Sequence, residues 1–133
     1  MDSYEYTAVL MKALGHPVRL QILSVLWQDE TCVCHLEAVL GQRQAYISQH
    51  LMRLREAGLV VDRREGMNVF YALATEAVAR MLDVAQETAV ILAQAKGERL
   101  PLTPPVQSIA LDCTCPKCQP KVTAVDARFV YGP

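Results

Sequence analysis

Five cysteines are the side chains of this chain whose type and spacing best fit a chemical role. Cys32 and Cys34 lie two positions apart at the expected start of a helix, and Cys113, Cys115 and Cys118 cluster near the end of the chain. A helix N-terminus carries partial positive charge and unsatisfied N–H groups, so it favours the thiolate form that binds soft metals or reacts with oxidants. The pattern therefore indicates a sensor rather than an enzyme.

Composition limits the other possibilities. The length of 133 residues predicts one domain with a possible appendage, and the net charge of −1 means that any nucleic-acid footprint must be local. No apolar run approaches the ~20 residues of a membrane span, and the first residues do not resemble a secretory signal. We therefore expect a cytoplasmic protein without a membrane partner. The cytoplasm keeps thiols reduced, and five is an odd number of cysteines, so they are more consistent with metal-binding or reactive residues than with a disulfide framework.

Hydrophobic periodicity predicts three helices in the first third of the chain. The first covers about residues 3–14, and the second begins at Pro17, a residue that suits the first turn of a helix. Thr31 is a candidate N-cap for the third helix, and Gly41 is a plausible residue to follow its last turn. The second helix is apolar on most sides, which predicts that it is the central element of the core.

The next segment has the pattern of a helix followed by a hairpin. A fourth helix is expected over about residues 43–57, and two β-branched or aromatic runs, 59–65 and 68–73, flank a Gly-Met turn. A fifth helix over about residues 75–95 precedes a proline-containing linker. Two helices joined by a short glycine-containing turn match the helix-turn-helix pattern. A hairpin directly after them predicts a wing.

The expected fold class is mainly α. It is a winged helix-turn-helix with five helices and a two-stranded β-hairpin wing, plus a C-terminal Cys-rich tail. Residues 1–97 are predicted to form the DNA-binding and dimerisation domain, and residues 98–133 the linker and tail.

Three runs in this domain resemble the ArsR/SmtB family of bacterial winged-helix repressors. They cover residues 13–23, 32–36 and 47–60, and the whole resemblance extends over about residues 5–95. It implies a repressor that leaves operator DNA on sensing a metal, and a homodimer paired through its first and last helices. The cysteine cluster of the tail lies outside the family pattern.

The candidate DNA contacts are residues at the start of the fourth helix and in the wing. In helix-turn-helix proteins the N-terminal residues of the second helix touch base edges in the major groove of double-stranded DNA. Arg can pair with guanine and Gln with adenine, and wing arginines suit phosphates or the minor groove. The alternatives are an ordinary solvated helix face and a solvated hairpin tip. The candidates are Arg43, Gln44, Ala45, Tyr46, Ser48 and Gln49, with Arg63 and Arg64 in the wing.

Within the family, the Cys32-Val-Cys34 run resembles the thiolate half of an arsenic, cadmium or lead site. Residues two apart on a regular helix point in widely different directions, at ~100° per residue. Both sulfur atoms can therefore reach one ion only if the first turn unwinds or if Cys32 lies just outside the helix. The alternative is a pair of buried structural thiols.

The tail cysteines Cys113, Cys115 and Cys118 are candidates for the remaining metal ligands. Soft thiolates suit As(III), Cd²⁺, Pb²⁺ and also Zn²⁺. The linker from Ala95 to Cys113 can extend to about 60 Å at ~3.3 Å per residue, which is enough to reach the third helix of either protomer. The alternatives are a separate zinc knuckle and a disordered end with reactive thiols.

The histidines are weaker candidates. We expect His16 to be a helix-entry residue, His35 to lie on the exposed polar surface, and His50 to serve packing or a phosphate contact. The fifth helix contains no histidine, so its Asp83 and Glu87 lack the paired His ligands of the zinc- and nickel-sensing relatives. This argues against a zinc site of that type.

Two other functions use the same thiols differently. A redox- or persulfide-sensing winged-helix repressor would bridge two cysteines, but the family branch of that kind carries its thiols on the second and fifth helices, where this chain has none. A thiol oxidoreductase would use Cys115 and Cys118, but such a motif normally opens a helix beside a βαβ unit, and the residues that follow do not start one.

Overall fold

The computed structural model describes residues 1–100, which form five helices and three strands. Residues 101–133 of the predicted linker and tail (98–133), with their three cysteines, lie outside the described residues. The elements in chain order are α1 (Ser3–Leu14), α2 (Pro17–Gln28), β1 (Thr31–Cys32), α3 (Val33–Leu40), α4 (Gln44–Glu56), β2 (Val60–Glu65), β3 (Asn68–Leu73) and α5 (Glu76–Ala95). The mainly α winged helix-turn-helix class is confirmed.

Local capping explains where α1 and α2 begin. Asp2 and Glu5 form a capping box, in which the Asp2 side chain accepts from the Glu5 N–H and the Glu5 side chain accepts from the Asp2 N–H, both at 2.8 Å. His16 is the N-cap of α2 and its Nδ1 accepts a hydrogen bond from the Val18 N–H at 3.1 Å, while Pro17 occupies the first turn. His16 is thus a helix-entry residue, as predicted.

The core is aliphatic and centres on α2, as its apolar sequence predicts. Residues of α2, α3 and α4 supply most of the fully buried side chains, and Leu59 and Val60 close the core beside the wing. Burial of this apolar surface is the main force that holds α4 in place. The buried members from the three helices are Ile22, Leu23, Val25, Leu26, Leu36, Ile47, Leu51 and Leu54.

The sheet has one strand more than predicted. Its order is β1-β3-β2 with both pairs antiparallel, so the hairpin of β2 and β3 is extended by the two residues of β1. The expectation that Thr31 caps the third helix is wrong. Thr31 pairs with Tyr71 in the ladder, its hydroxyl donates to the Asp29 carbonyl at 3.0 Å, and Cys32 takes the N-cap position.

Apolar side chains remain exposed on both α1 and α5. Apolar periodicity predicts a stripe along one side of α5 that consists of Val78, Leu82, Ala85, Ala89 and Leu92. Leu82 is buried in the core, but Leu92 is 59% exposed. The stripe thus divides into a half packed on the core and an exposed half. The exposed apolar residues of the two helices are Tyr4, Tyr6, Val9 and Met11 on α1, and Val84, Ile91 and Leu92 on α5.

Within residues 1–100, no single helix is long and apolar enough to cross a membrane; α1 and α2 taken together meet the same length and composition criteria, with a 92° bend between them.

Candidate nucleic-acid interface and thiol pair

The turn between α3 and α4 gives the helix-turn-helix unit its shape. Gly41 follows the last residue of α3 with a φ of +65°, and its N–H donates to the Glu37 carbonyl at 2.9 Å. This left-handed conformation favours glycine because a Cβ would be strained there. Arg43 is then the N-cap of α4 in an extended conformation. Three residues, 41–43, therefore connect α3 to α4.

The two faces of α4 differ sharply in exposure. Ile47, His50, Leu51 and Leu54 are buried, which anchors one side of the helix to the core. The opposite side, from the N-cap through the second turn, is exposed. It contains every residue predicted on this helix to contact DNA: Arg43, Gln44, Ala45, Tyr46, Ser48 and Gln49.

The arginines near this face differ in their ionic partners. Nη1 of Arg53 lies 3.7 Å from Oε2 of Glu56, and Nη1 of Arg55 lies 3.2 Å from Oδ2 of Asp62. Among the residues that the structure describes, Arg43 and Arg64 form no ion pair. Both are exposed, so they are the arginines of the predicted set with the lowest electrostatic cost of turning to a phosphate or a base.

Arg63, the other predicted wing contact, is already engaged by carboxylates. Its Nε donates to Glu30 Oε2 at 2.8 Å, its Nη2 donates to the other oxygen of the same carboxylate, and its Nη1 donates to Glu65 Oε2 at 2.9 Å. Hydrogen bonds to Glu30 and then Glu65 raise the pKa of Arg63 above its usual range. A DNA contact by this guanidinium would require it to exchange one of these partners.

An aromatic cluster ties α4 to the junction of α1 and α2. Arg19 donates from Nε to His50 Nδ1 at 3.0 Å and from Nη1 to the Ala13 carbonyl at 3.1 Å. The ring of His50 lies 4.4 Å from that of His16 and 4.5 Å from that of Tyr46, the latter edge to face. His50 is 7% exposed, so packing is its role in the structure. This cluster fixes the ring of Tyr46 at the edge of the exposed face.

The state of His50 should make stability depend on pH. Burial lowers its pKa from 6.5, and the neighbouring His16 and Arg19 lower it further. Its Nδ1 must also stay unprotonated to accept from Arg19. Because the unfolded chain binds the proton more readily, the stabilisation is complete above pH 6.5. It is lost as the pH falls from 6.5 through the lower folded-state pKa.

We therefore expect the free energy of unfolding, measured with urea, to fall between pH 7.5 and pH 5.5. His50→Asn, whose Oδ1 takes the position of the imidazole Nδ1 and can accept from Arg19 but cannot titrate in this range, should show a smaller fall. Equal pH dependence in the two proteins would contradict the assignment to His50.

The thiol pair has the geometry that the two-residue spacing requires. Cys32 lies at the N-cap of α3 with φ −84° and ψ 163°, outside the helix, while Cys34 lies in its first turn. The two Sγ atoms are consequently only 2.9 Å apart, although Cys32 is buried and Cys34 is exposed. The structure thus satisfies the second of the two conditions deduced above for a shared ion.

The separation of 2.9 Å lies between two bonded states. A disulfide would hold the sulfur atoms ~2.05 Å apart. A tetrahedral ion with metal–sulfur bonds of ~2.3 Å would hold them roughly 3.8 Å apart. The pair is therefore close enough for either chemistry.

The described residues around the thiol pair connect it to the start of α4 but do not supply further metal ligands. Among residues 1–100, no group of three or more His, Cys, Asp or Glu side chains is placed to hold a metal ion. His35, expected on the exposed surface, is only 6% exposed, which corrects that expectation. A shallow concavity connects Cys34 with the N-cap of α4, and its lining residues are Cys34, Glu37, Ala38, Gly41, Gln42 and Arg43.

Two functional features were not found by reasoning on the sequence. One is the ladder that pairs Cys32 with Phe70 of the wing, and the other is the ion pair between Glu30 and Arg63. A two-residue strand is too short to show the alternation that marks a strand. The partners in the ion pair are 33 positions apart, so no local pattern connects them.

Asp83 and Glu87, the acidic residues considered in the sequence for a zinc site on the fifth helix, are exposed on α5.

Comparisons with known proteins agree with this arrangement. Residues 16–61 match the model of the bacterial regulatory protein, arsR family. The biofilm growth-associated repressor of Agrobacterium fabrum is 47% identical over 76 residues, which are 57% of this chain and 65% of that protein, just under two thirds of its length. The transcriptional activator HlyU of Vibrio cholerae is 42% identical over 76 residues, which are 57% of this chain and 70% of that protein.

Solved structures show the same fold. The solution structure of a homodimeric winged helix-turn-helix DNA-binding domain from Mycobacterium bovis, described as a possible ArsR-family transcriptional regulator, superposes with a TM-score of 0.62 at 37% identity. That match covers 65% of this chain and 80% of the other.

Proposed function

The chain belongs to the arsR family of bacterial regulatory proteins, and from this membership we propose that it is a metal- or metalloid-responsive transcriptional repressor. It binds an operator as a homodimer in the cytoplasm and leaves the DNA when thiolates coordinate an inducer of the As(III), Cd²⁺ or Pb²⁺ class. It is a regulator, not an enzyme.

The observation that carries the metal proposal is the close approach of the two sulfur atoms at the start of α3. Cys32 and Cys34 present their Sγ atoms 2.9 Å apart, and Cys34 is accessible. Soft thiolate ligands suit As(III), Cd²⁺, Pb²⁺ and Zn²⁺ better than they suit oxygen-preferring ions. The N-terminus of α3 adds partial positive charge that favours the thiolate.

The remaining ligands are proposed to come from the tail. A soft ion takes three or four thiolates, and α3 offers two. The other cysteines of the sequence are Cys113, Cys115 and Cys118, so at least one of them is expected to complete the site within or across protomers. Coordination would then act on the first turn of α3, which leads through three turn residues into α4.

The DNA interface is proposed to be the exposed face of α4 together with the wing. Arg43, Gln44, Ala45, Tyr46, Ser48 and Gln49 would enter the major groove, and Arg63 and Arg64 would contact phosphates or the minor groove. In a symmetric dimer two such helices meet successive major grooves ~34 Å apart, so the operator should be an imperfect palindrome.

The dimer is proposed to form through α1 and α5. Both helices expose apolar side chains in the described part of the chain, and the M. bovis relative is a homodimer. Exposed apolar surface of this kind is typical of an interaction site. Ala85 and Ala89 lie on the exposed half of α5, where small residues allow close approach of a partner helix.

Ala89→Arg should therefore dissociate the dimer, because it would bury an unpaired positive charge in the proposed helix interface. Sedimentation velocity should show monomers at concentrations where the parent is dimeric. The matched control is Glu98→Arg, which adds the same side chain at an exposed position beyond the end of α5 and should leave the dimer intact. A fully dimeric Ala89→Arg protein would rule out this interface.

A second candidate is a thiol-redox or persulfide-sensing repressor, favoured by the same 2.9 Å separation. In that case an oxidant such as hydrogen peroxide takes two electrons and two protons from Cys32 and Cys34, the S–S bond forms, and the peroxide is reduced to water. One of the relatives of similar fold, HlyU of V. cholerae, is known in a form named as reduced.

Two measurements on reduced protein under anaerobic conditions test the proposal. Addition of Cd²⁺ should produce the ultraviolet charge-transfer absorbance of cadmium bound to thiolates and should lower operator affinity. In a separate sample treated with peroxide, mass spectrometry detects the loss of two hydrogens at residues 32–34, and a DNA-binding measurement shows whether that oxidation changes operator affinity. Release by peroxide but not by Cd²⁺ would favour the redox candidate.

A further inference from the structure

The residue that carries the buried thiol lies in one row with the wing. Cys32 in β1 pairs with Phe70 in β3, and Phe70 pairs on its other side with Arg63 in β2. Directly paired residues in antiparallel strands project their side chains on the same face of the sheet, and neighbouring strands are ~4.8 Å apart. Cys32, Phe70 and Arg63 therefore form a continuous row across the sheet.

Side chains reinforce this row at its outer end. The guanidinium of Arg63 lies 4.8 Å from the centre of the Phe70 ring, and it makes a bidentate pair with the carboxylate of Glu30. Glu30 lies two residues before Cys32, in the segment that leads into β1. The segment with the thiol is thus tied to the wing twice, by main-chain pairing with β3 and by a planar two-bond contact with β2.

We propose that Glu30 and Arg63 are positioning residues that couple the thiol pair to the wing, so that an inducer bound at Cys32 displaces the wing as well as α4. This inference rests on the proposed function, in which Cys32 and Cys34 coordinate the inducer. It assigns Arg63 the role of the connection between sensor and wing, and it assigns Glu30 a role that the sequence did not indicate.

The physical reason is that coordination repositions a buried side chain. An ion shared by Cys32 and Cys34 fixes the positions of two Sγ atoms that lie in contact in the structure, so the Cys32 side chain is displaced when the ion binds. Cys32 is 4% exposed and paired in the ladder, so displacement of its side chain is resisted by close packing and is passed to β1. Glu30 precedes β1 directly, and its bidentate contact passes the displacement to Arg63.

The expected effect on DNA binding comes through Arg64, the residue that follows Arg63 in β2. Side chains alternate along a strand, so Arg64 projects on the opposite face of the sheet from Arg63. Arg64 is exposed and forms no ion pair within residues 1–100. A shift of β2 that follows Arg63 therefore moves Arg64 relative to the DNA backbone that it is proposed to contact.

The test measures the fold-change in operator affinity that Cd²⁺ causes in the full-length, reduced protein. Glu30→Gln keeps the size of the side chain but removes the charge that holds Arg63. We expect it to bind Cd²⁺ with the same thiolate absorbance and affinity as the parent, while the Cd²⁺-induced fold-change in operator affinity falls at least ~5-fold, the lower end of typical allosteric coupling.

The matched control is Glu65→Gln. Glu65 also accepts a hydrogen bond from Arg63, at 2.9 Å, but it lies on β2 itself and makes no connection to β1 through this contact. This variant should keep the parental fold-change. Arg63→Lys, which retains the charge but not the bidentate geometry, should lose the fold-change like Glu30→Gln. The double variant Glu30→Gln/Arg63→Lys should lose no more than either single variant, because the two residues act through one contact.

The outcomes separate this inference from the function on which it rests. If the parent releases DNA with Cd²⁺ and Glu30→Gln releases it equally, the coupling through Glu30 and Arg63 is overturned and the proposed function stands. If the parent binds Cd²⁺ without releasing DNA, or binds none, the proposed function fails first. If Glu65→Gln loses as much of the fold-change as Glu30→Gln, any charge removed near Arg63 suffices and the specific connection to β1 is overturned.

Discussion

Replacement of Arg43 or Gln44 with alanine is expected to weaken operator binding by about 1–3 kcal/mol and to relax the base preference at one position of each half-site. Both residues lie at the start of α4 on its exposed face, so truncation should leave the buried face intact. The measurement is a fluorescence-anisotropy titration of each variant against the operator, single-base variants of the operator, and random DNA.

Arg64→Ala provides the control for this experiment. As a backbone contact it should weaken binding evenly across sequences and lower the slope of log affinity against log salt by about one. If Gln44→Ala binds operator and random DNA as the parent does, α4 is not the recognition helix in the register proposed.

Cys34→Ser is expected to keep operator affinity and to lose release by the inducer, and Cys32→Ser should behave in the same way. Serine is close to isosteric with cysteine, and Cys34 is exposed, so little packing is at stake there. The hydroxyl is a poor ligand for soft ions, which removes one of the two sulfur donors. Operator affinity with and without As(III) or Cd²⁺, measured anaerobically, gives the result directly.

Glu37→Gln is the matched control, since Glu37 lines the same concavity as Cys34 but offers no thiolate. The inducer should release this variant from operator DNA as it releases the parent. Release of Cys34→Ser at the parental inducer concentration would show that the thiol pair is not the sensing site, whatever its geometry.

The helices could be predicted from the sequence because their signals are local. The bounds expected for α1, residues 3–14, coincide with those observed, and α4 begins and ends within one residue of the expected 43–57. Apolar periodicity, Pro17 at the start of α2 and Gly41 after α3 are readable along the chain itself. The exposed face of α4 follows from the same periodicity, since Ile47, Leu51 and Leu54 define the buried side.

The features that could not be predicted depend on contacts between distant residues. The pairing of β1 with β3 places Cys32 outside α3, and this placement decides that the two sulfur atoms meet. From the sequence it was one of two open possibilities. His35 was expected to be exposed because of its polarity, but it follows the buried β1 into the interior. The contact of Glu30 with Arg63 forms only when the wing folds back beside β1.

The most direct test of the central claim is anaerobic titration of the full-length protein and of a protein truncated after Pro105 with As(III), Cd²⁺, Pb²⁺ and Zn²⁺. Operator affinity is measured at each point. We predict that the full-length protein binds at least one of these ions through thiolates and loses operator affinity as it does. The truncated protein should bind the ion more weakly and still bind the operator. Full inducer affinity and full release in the truncated protein would remove the tail from the sensor, and absence of release by any of the four ions from the full-length protein would contradict metal sensing itself.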